Sequence, residues 1–377
     1  MKIAYLSGAY KNSGDFLIEK RAVELLMHEY PACEFIRIMR NEVEKHIAEV
    51  NACDLAVIGG GPIYQTSLVN YMPLETYRNE VEVPTMILGG GWYGKSGSSH
   101  EMLRYRFDQQ TKRFLEKVYE SGFGFSCRDI HTANVLKANG FPKVVLTGCP
   151  AWYDLRYVGK TEFRRNIDSI RTIAVSDPAR VYNLDASLEV VKYLKKRFKD
   201  AEIRFLFHRG INLDQHTSGK SAAKLNEVAR SLRDMGVDYR DISYGVDGFS
   251  QYDQCDLHVG FRVHAHIYNM GIRNRSILIE EDGRGAGVNE TLGLPSIRAY
   301  DDGLVLSNRL ANKALRSVSN RSNRNLINEL DTYLNILLSN DFCYLKNAFA
   351  IQENLYRGMK EYMGQISEKA DDRTGQG

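Results

Sequence analysis

The sequence has no apolar run that approaches the length of a membrane span, and its first residues, MKIAYLSGAY, are too few and too polar for a signal peptide. It also has no excess of one charge, since 50 Lys and Arg face 47 Asp and Glu and leave a formal charge of +3. The chain therefore has no overall basic field that would indicate binding to nucleic acid or membrane. These absences predict a cytoplasmic protein with no nucleic-acid partner, in which any anion site is local.

Patterns of cysteine and histidine that are typical of redox or metal chemistry are missing as well. The six cysteines form no C-x-x-C pair, and neither H-x-x-x-H nor H-E-x-x-H occurs. A G-x-S-x-G nucleophile elbow is also absent. We therefore expect free thiols packed as small apolar side chains, no metal ion and no bound cofactor.

Short apolar runs rich in β-forming residues alternate with longer segments of helical periodicity. The first half of the chain contains six strand candidates: KIAYLS (2–7), EFIRI (34–38), DLAVIGG (54–60), VPTMILGGG (83–91), FGFSC (123–127) and KVVLT (143–147). Segments 15–30 and 99–120 have the periodicity of helices. This alternation is typical of a parallel sheet covered by helices on both faces.

The same pattern restarts after a linker near 151–169. It contains five further strand candidates: RTIAVS (171–176), EIRFLF (202–207), DYRDIS (238–243), DLHVG (256–260) and RSILIE (275–280). Asp185 is predicted to cap the helix after the first of these strands, and Gly236 to end a second helix. From about residue 309 the chain is predicted to be helical, with apolar stripes that begin at Leu326 and Leu345.

The predicted fold is α/β, with two Rossmann-like domains that face each other across a cleft. Their predicted bounds are 1–155 and 170–308, followed by C-terminal helices at 309–365 and a disordered polar tail at 366–377. A chain of 377 residues with 43% hydrophobic residues is long enough for two cores. In open α/β sheets, ligands bind beyond the carboxyl ends of the strands, so side chains that directly follow strands are candidate site residues.

The loop after the first strand reads KNSGD, with Gly14 followed by Asp15 at the start of a helix. Such a loop offers backbone N–H groups at a helix N-terminus. Two interpretations of Asp15 stay open: a helix N-cap, or a carboxylate that serves as acid or base. The loop lacks the glycine spacing of a P-loop or a dinucleotide fingerprint.

Two glycine triplets follow neighbouring strands of the first predicted domain. Gly59, Gly60 and Gly61 end DLAVIGGG, and a second triplet occupies 89–91. Successive glycines tolerate positive φ and let a ligand approach the backbone. Two such loops in one domain favour a ligand-facing rim over simple tight turns.

Arg128 and Asp129 follow the strand FGFSC in the motif SCRD. Asp129 can cap the next helix while Arg128 pairs with a surface carboxylate. The position of Arg128 beyond a strand end favours instead a guanidinium that grips an anion. We expect His131 to lie on the helix surface.

The stretch GFRVHAH places Arg262 and His264 at a strand–helix junction. Together they could reach one small anion, held by the guanidinium, while the imidazole transfers a proton near neutral pH. His258 and His266 are expected to be structural. Arg284, in the Gly-rich loop EEDGRGAG, is either a third anion contact or a solvated loop charge.

Taken in order, four motifs resemble those of the polysaccharide pyruvyl transferase family: NSGD at 12–15, VIGGG at 57–61, SCRD at 126–129 and GFRVH at 260–264. The resemblance spans about residues 1–300. It implies a fold similar to that of two-domain glycosyltransferases of the B type. It also implies transfer of a pyruvyl group from phosphoenolpyruvate to two hydroxyls of a sugar as a cyclic ketal. By motif, Arg262 and His264 would contact the donor, and Arg128 would be a second donor arginine.

This implied chemistry explains the residue types. Phosphoenolpyruvate carries a carboxylate and a phosphate, so several cationic groups must converge on it. His264 could supply a proton to the methylene carbon, and Asp15 could accept one from the sugar hydroxyl. Arg273 and Arg275 depart from the family pattern, and they either alter the acceptor side or lie on the surface.

The implied acceptor is a sugar or lipid-linked glycan of a cell-surface polysaccharide precursor, which would bring a cytoplasmic enzyme to the inner face of the membrane. Tyr64, Trp92 and Tyr93, beside the glycine loops, either stack on sugar rings or are buried. The C-terminal helices either cross back onto the first domain or mediate a homodimer. Two other functions stay open: a sugar-nucleotide-dependent glycosyltransferase of the same architecture, and a non-catalytic protein that binds an anion or a glycan.

Overall fold

The computed structural model describes residues 1–95, 97–300 and 323–374, with side chains as far as residue 368. The chain divides into two units. The first contains Met1–Tyr10, Asp15–Lys160 and Ala350–Gly377, and the second contains Lys11–Gly14 and Thr161–Phe349. The predicted start of the C-terminal helices at 309 lies outside the described residues.

The six strands predicted for the first unit are all present. They are β1 (Lys2–Ser7), β2 (Glu34–Met39), β3 (Leu55–Gly59), β4 (Thr85–Leu88), β5 (Phe125–Cys127) and β6 (Val144–Leu146). The first four form a parallel sheet in the order β2-β1-β3-β4, and β5 pairs with β6. A parallel bridge between Gly90 and Cys127 continues β4 onto β5. The carboxyl ends of these strands therefore share one edge.

Helices cover this sheet at α1 (Ser13–Glu29), α2 (Ile47–Asn51), α3 (Leu74–Glu80), α4 (Ser99–Arg104), α5 (Gln109–Glu120) and α6 (Ile130–Ala138). The predicted helix over 99–120 is thus two helices. Asp108 separates them, because its carboxylate accepts the N–H of Thr111 at 2.7 Å and caps α5. The core between sheet and helices is apolar and includes Ile58, Ile87 and Phe114.

The second unit contains the five other predicted strands. They are β7 (Thr172–Ser176), β8 (Glu202–Phe207), β9 (Asp238–Asp241), β10 (Leu257–Gly260) and β11 (Arg275–Leu278). All pairs are parallel, in the order β11-β10-β7-β8-β9. The strand order reverses between β7 and β10, where Ser176 lies opposite Gly260. Such a switch point is where ligands bind in doubly wound sheets.

The helices of the second unit are α7 (Leu184–Arg197), α8 (Gly219–Asp234), α9 (Val263–Gly271), α10 (Gly283–Thr291) and α11 (Leu326–Ser339). The predicted N-cap at Asp185 is wrong. Asn183 holds that position because the buried Leu184 already starts the helix, so exposed Asp185 lies in its first turn. Gly236 follows α8 with a φ of +66°, as predicted.

The final helix, α12 (Cys343–Thr374), belongs to the second unit as far as Phe349 and to the first unit from Ala350. Tyr362 donates to the carbonyl of Gly124 at 3.2 Å, and Tyr30 donates to that of Met363 at 2.8 Å. These bonds explain why the end of the chain belongs to the first unit, as one of the two open interpretations held. The tail predicted to be disordered from 366 is helical to Thr374, and 375–377 lie outside the described residues.

Arg273 and Arg275 are buried, so of the two interpretations left open, the one that places them on the surface is wrong. The Arg275 guanidinium lies 4.2 Å from the ring centroid of Phe163, and that of Arg273 lies 5.2 Å from the ring centroid of Phe349. Both cations stabilise the interior of the second unit. The six cysteines are free thiols, and no helix in the described part of the chain combines the length and hydropathy that a bilayer crossing requires.

Candidate functional site

The first glycine triplet, at the end of β3, is largely filled by protein atoms. A Cβ on Gly59 would lie 2.0 Å from Oη of Tyr5, and one on Gly60 would lie 2.6 Å from Cγ2 of Ile18. Close packing therefore explains why Gly59 and Gly60 carry no side chain, whereas the nearest neighbour of a Cβ on Gly61 would be 3.9 Å away. That the triplet faces a ligand stays a prediction. Gly60 and Gly61 also have positive φ, at +42° and +70°.

The second triplet provides the seat of Arg128. A Cβ on Gly91 would lie 2.5 Å from Cζ of Arg128, and the Arg128 N–H donates to the carbonyl of Gly90 at 2.8 Å. Tyr64 and Trp92, beside the two triplets, are buried and belong to the core, whereas Tyr93 is half-buried, and its contact with a sugar ring stays a prediction. A side chain at position 91 would displace the guanidinium.

Arg128 is 1% exposed and pairs with a single carboxylate, through Nε and Oδ2 of Asp129 at 3.0 Å. Its Nη2 is buried and has no hydrogen-bond partner in the described part of the chain. Buried guanidinium N–H groups are costly without an acceptor, which points to an anion at this position. Asp129 caps α6 through the N–H of Thr132, as expected. His131, predicted on the surface, is buried because α6 packs it near Trp92.

Asp15 lies in the first turn of α1 and not at its N-cap, because the helix begins two residues earlier at Ser13. Its carboxylate interacts electrostatically with Arg40, a cation that the sequence analysis missed. Burial lowers the pKa of Arg40, and Asp15 is the largest opposing influence. A Cβ on Gly8 would lie 1.8 Å from Nη2 of Arg40, so the glycine after β1 makes room for this guanidinium. Arg40 directly follows β2, and the strand-end rule would have found it.

In the second unit, Arg262 lies at the switch point and is held by a buried carboxylate. Its Nε donates to Oδ1 of Asp177 at 2.7 Å and its Nη2 to Oδ2 at 2.6 Å. Burial disfavours the charged guanidinium, but Asp177 outweighs burial, and the pKa of Arg262 is raised. Nη1 makes no hydrogen bond to the described residues, which leaves one edge of a fixed cation for a ligand.

His264 is the second residue of α9, and Gly14 packs directly against its ring. A Cβ on Gly14 would lie 2.2 Å from Nδ1 of His264. Gly14 was predicted to bind substrate, and the structure gives it the additional role of seating the imidazole. The neighbouring Ser13 donates its N–H to the carbonyl of His208 at 3.0 Å.

His208, which directly follows β8, is a further residue that the sequence analysis missed. Its Nδ1 lies 2.8 Å from Oγ of Ser13, its Nε2 lies 2.7 Å from the hydroxyl of Tyr252, and its N–H donates to Asp177. Burial holds the pKa of His208 well below its usual value, so the ring is neutral. It serves as a hydrogen-bonded support beneath Arg262 and His264.

His258 and His266 are interior residues, as expected. His258 bonds to Ser176 and Ser276, and His266 bonds to Ser276 at 2.8 Å. Burial lowers the pKa of both rings. Their hydrogen bonds connect β7, β10, β11 and α9 in the interior of the second unit.

The end of β11 carries Glu281, Asp282 and Arg284. Arg284 is no loop charge: it is the second residue of α10, and its guanidinium forms a bidentate pair with Asp282 at 2.9 and 2.7 Å. Glu281 accepts the N–H groups of Ala179 and Arg180 at 2.6 and 3.1 Å. Burial raises the pKa of Glu281 to about 7.

The carboxyl edge of the second sheet therefore combines two arginines, an imidazole and a carboxyl group that titrates near neutral pH. Glu281 and Arg284 are close enough to Arg262 to influence its pKa. Such a set can hold a small dianion and move a proton. In the ranges that the structure describes, no three His, Cys, Asp or Glu side chains are grouped to hold a metal ion.

Comparison with known proteins identifies a family and a fold. A family model described as "Polysaccharide pyruvyl transferase" matches residues 12–268, a range that contains all four motifs. None of the curated proteins matches the chain.

Two epimerases are among the solved structures that share the fold. UDP-GlcNAc 2-epimerase from Neisseria meningitidis, bound to UDP-GlcNAc, is 11% identical, with a TM-score of 0.54 over 99% of this chain and 100% of that chain. A putative UDP-N-acetylglucosamine 2-epimerase from Listeria monocytogenes is 13% identical, with a TM-score of 0.55 over 98% and 97%. These likenesses show an architecture of two Rossmann-like domains similar to that of B-type glycosyltransferases, with C-terminal helices, as predicted.

Proposed function

Because the chain belongs to the polysaccharide pyruvyl transferase family, we propose that it transfers the pyruvyl group of phosphoenolpyruvate to a sugar of a cell-surface polysaccharide precursor. The products are a cyclic pyruvate ketal and phosphate. Phosphoenolpyruvate is the donor substrate, and no cofactor takes part.

The observation that carries this proposal is the fixed arginine at the switch point of the second unit. Arg262 is buried, paired with Asp177 through two of its nitrogens, and has its Nη1 left for a ligand. Arg284, held by Asp282, is the nearby second cation. A donor with a carboxylate and a phosphate needs such converging, preorganised cations, and the pair suits it.

The reaction balances with the donor and one diol alone. The methylene carbon of phosphoenolpyruvate gains a proton, and one sugar hydroxyl attacks the adjacent carbon and loses its proton. The bond from that carbon to the phosphate oxygen then breaks, and the second hydroxyl attacks the same carbon. The two hydroxyls release two protons. One balances the proton that the methylene carbon takes up, and the other leaves on phosphate. No oxidant or reductant is required.

We assign the proton transfers to His264 and Asp15. His264 delivers the proton to the methylene carbon, and Asp15 accepts the hydroxyl proton. Arg128, with an orphan Nη2, is proposed to bind a donor oxygen, and Gly61 leaves room for substrate beside its backbone. The acceptor is proposed to be a sugar or lipid-linked glycan, which would hold the enzyme at the inner face of the membrane.

A sugar-nucleotide-dependent glycosyltransferase is the alternative on this architecture. The epimerase likenesses are 11% and 13% identical and concern the fold alone, so they do not favour a nucleotide sugar for this chain. That alternative requires a site for the base and the diphosphate of a nucleotide sugar. UDP-GlcNAc is therefore included as a second donor in the test below.

The test is ketal formation. The natural protein is incubated with phosphoenolpyruvate and p-nitrophenyl hexopyranosides of galactose, glucose, mannose and N-acetylglucosamine, and the ketal methyl signal is followed by NMR. We expect product with at least one glycoside, and a loss of roughly 10²–10⁴ in rate for His264→Ala. His28→Ala, which removes an exposed histidine of α1, should leave the rate unchanged. Transfer from UDP-GlcNAc without any ketal would overturn the proposal.

A further inference from the structure

Tyr244 has a backbone conformation that its residue type rarely adopts. Its φ is +62°, and the residue is 50% exposed in the turn after β9, at the carboxyl edge of the second sheet. A left-handed conformation is costly for a bulky residue and persists only where the surroundings impose it. The exposed ring contributes little to any core, so packing does not explain why a tyrosine occupies this position.

Three contacts hold the backbone and the ring of Tyr244 in place. Its N–H donates to the carbonyl of Lys11 at 2.8 Å, and its hydroxyl donates to Oδ2 of Asp214 at 2.7 Å. The Lys11 ammonium lies 5.4 Å from the ring centroid and also pairs with Asp214. One face of the ring is therefore covered by a cation, and the ring is held rigid while half of the residue stays open to solvent.

The same short segment that holds Tyr244 also reaches His264. Lys11 bonds to Tyr244, and Gly14, three residues later, packs against the imidazole. Three steps of extended chain span at most about 11 Å. This segment therefore connects the turn that carries Tyr244 to the residue that packs against His264, within the second unit.

We infer that the Tyr244 ring is the platform on which a hexopyranose of the acceptor stacks, next to the sugar that receives the pyruvyl group. The inference rests on the proposed function. A fixed tyrosine supplies a large amphipathic contact surface with little loss of conformational freedom on binding, and a pyranose offers it a face of C–H groups. The partly exposed carboxylate of Asp214 at the ring edge can accept a sugar hydroxyl.

Glycoside binding to the full chain, measured by saturation-transfer difference NMR, tests this platform. The probes are the p-nitrophenyl hexopyranosides used for ketal formation, each with and without phosphoenolpyruvate. Tyr244→Gly removes the ring and keeps a residue that accepts a φ of +62°, so folding should persist. Tyr344→Ala removes a tyrosine of similar exposure, 45%, from α12 and is the matched control.

We expect at least one glycoside to bind the natural protein and Tyr344→Ala alike, and to bind Tyr244→Gly at least 5-fold more weakly. Equal binding by Tyr244→Gly, or no binding of any probe to the natural protein, would overturn the inference.

Phosphoenolpyruvate binding separates this inference from the proposed function. Tyr244→Gly should bind the donor as tightly as the natural protein does, because the ring is no part of the donor site. If the donor never binds but glycosides bind through Tyr244, the proposed reaction fails and the sugar platform stands. If donor binds and ketal forms while Tyr244→Gly binds glycosides normally, the platform fails and the reaction stands.

Discussion

Asp177 illustrates how much of the candidate site depends on single buried residues. It is 1% exposed, it holds Arg262 through two hydrogen bonds, and it also accepts the N–H of His208 at 3.1 Å. The sequence does not reveal it, because Arg262 lies 85 residues away and only the neighbouring positions of β7 and β10 bring the two together. The available signal was the motif AVSD at 174–177, in which a carboxylate that could serve as a counter-charge directly follows a strand.

Asp177→Asn should destabilise the fold as well as the donor site. A neutral amide leaves the buried Arg262 guanidinium without its counter-charge, which typically costs about 3 kcal/mol in free energy of unfolding. Urea denaturation measures the loss. Asp185→Asn, at a largely exposed carboxylate of α7, is the control and should change stability by less than about 0.5 kcal/mol. A loss below about 1 kcal/mol for Asp177→Asn would contradict the role assigned to the pair.

Glu281 should make stability depend on pH near neutrality. Burial raises its pKa from an ordinary 4.5 to about 7, so the folded protein binds the proton more tightly than the unfolded chain. Its stabilising contribution is therefore complete below about pH 4.5 and is lost as pH rises through about 7, by up to about 3 kcal/mol. Urea denaturation of the natural protein and Glu281→Gln between pH 5 and pH 8 measures this loss.

The difference in stability between Glu281→Gln and the natural protein should shift in favour of the variant as pH rises. Glu189→Gln, at an exposed carboxylate of α7, is the control: its free energy of unfolding should differ from that of the natural protein by the same amount at every pH. If the difference for Glu281→Gln were also independent of pH, Glu281 would not titrate in this range.

At the scale of elements, Gly14 in α1 and Gly364 in α12 allow the same substitution to be compared in a crowded and an open environment. Alanine favours a helix over glycine by roughly 0.5–1 kcal/mol. Gly364 in α12 has no atom within 4 Å of an added Cβ, so Gly364→Ala should gain that amount. Gly14→Ala, at the start of α1, should instead lose at least about 1 kcal/mol, because its Cβ would lie 2.2 Å from the His264 ring.

Thermal and urea denaturation of the two glycine variants, with the His264 ring followed by NMR, checks this prediction. The ring signals should shift in Gly14→Ala and stay unchanged in Gly364→Ala. Equal gains in stability for both variants would mean that α1 does not seat the imidazole.

The elements themselves were largely predictable from sequence. All eleven predicted strands are present, because buried parallel strands form short apolar runs bounded by glycines and helices. The errors arose where a local signal competed with tertiary packing. Asp185 has the type of an N-cap, yet burial of Leu184 starts the helix earlier, and His131 was placed on the surface although α6 buries it.

For the whole molecule, the presence of two units was predictable from the sequence. Which segments of the chain belong to each unit was not. The sequence order assigns Lys11–Gly14 to the first domain, whereas the structure assigns it to the second, where Ser13 bonds to His208. The pairing of Arg262 with Asp177, and the surroundings that raise the pKa of Glu281, likewise depend on strand order. Residues at strand ends can be predicted one by one, whereas the partners that hold them require the fold.

The measurement that tests the central claim most directly is calorimetric titration of phosphoenolpyruvate into the natural protein, Arg262→Lys and Arg230→Ala, with UDP-GlcNAc as the second ligand. Arg262→Lys keeps a charge beside Asp177 but loses the bidentate geometry, and Arg230→Ala removes an exposed arginine of α8. We predict donor binding by the natural protein and Arg230→Ala, at least 10-fold weaker binding by Arg262→Lys, and no binding of UDP-GlcNAc. Binding of UDP-GlcNAc alone, or donor binding that Arg262→Lys leaves unchanged, would contradict a donor site built on Arg262.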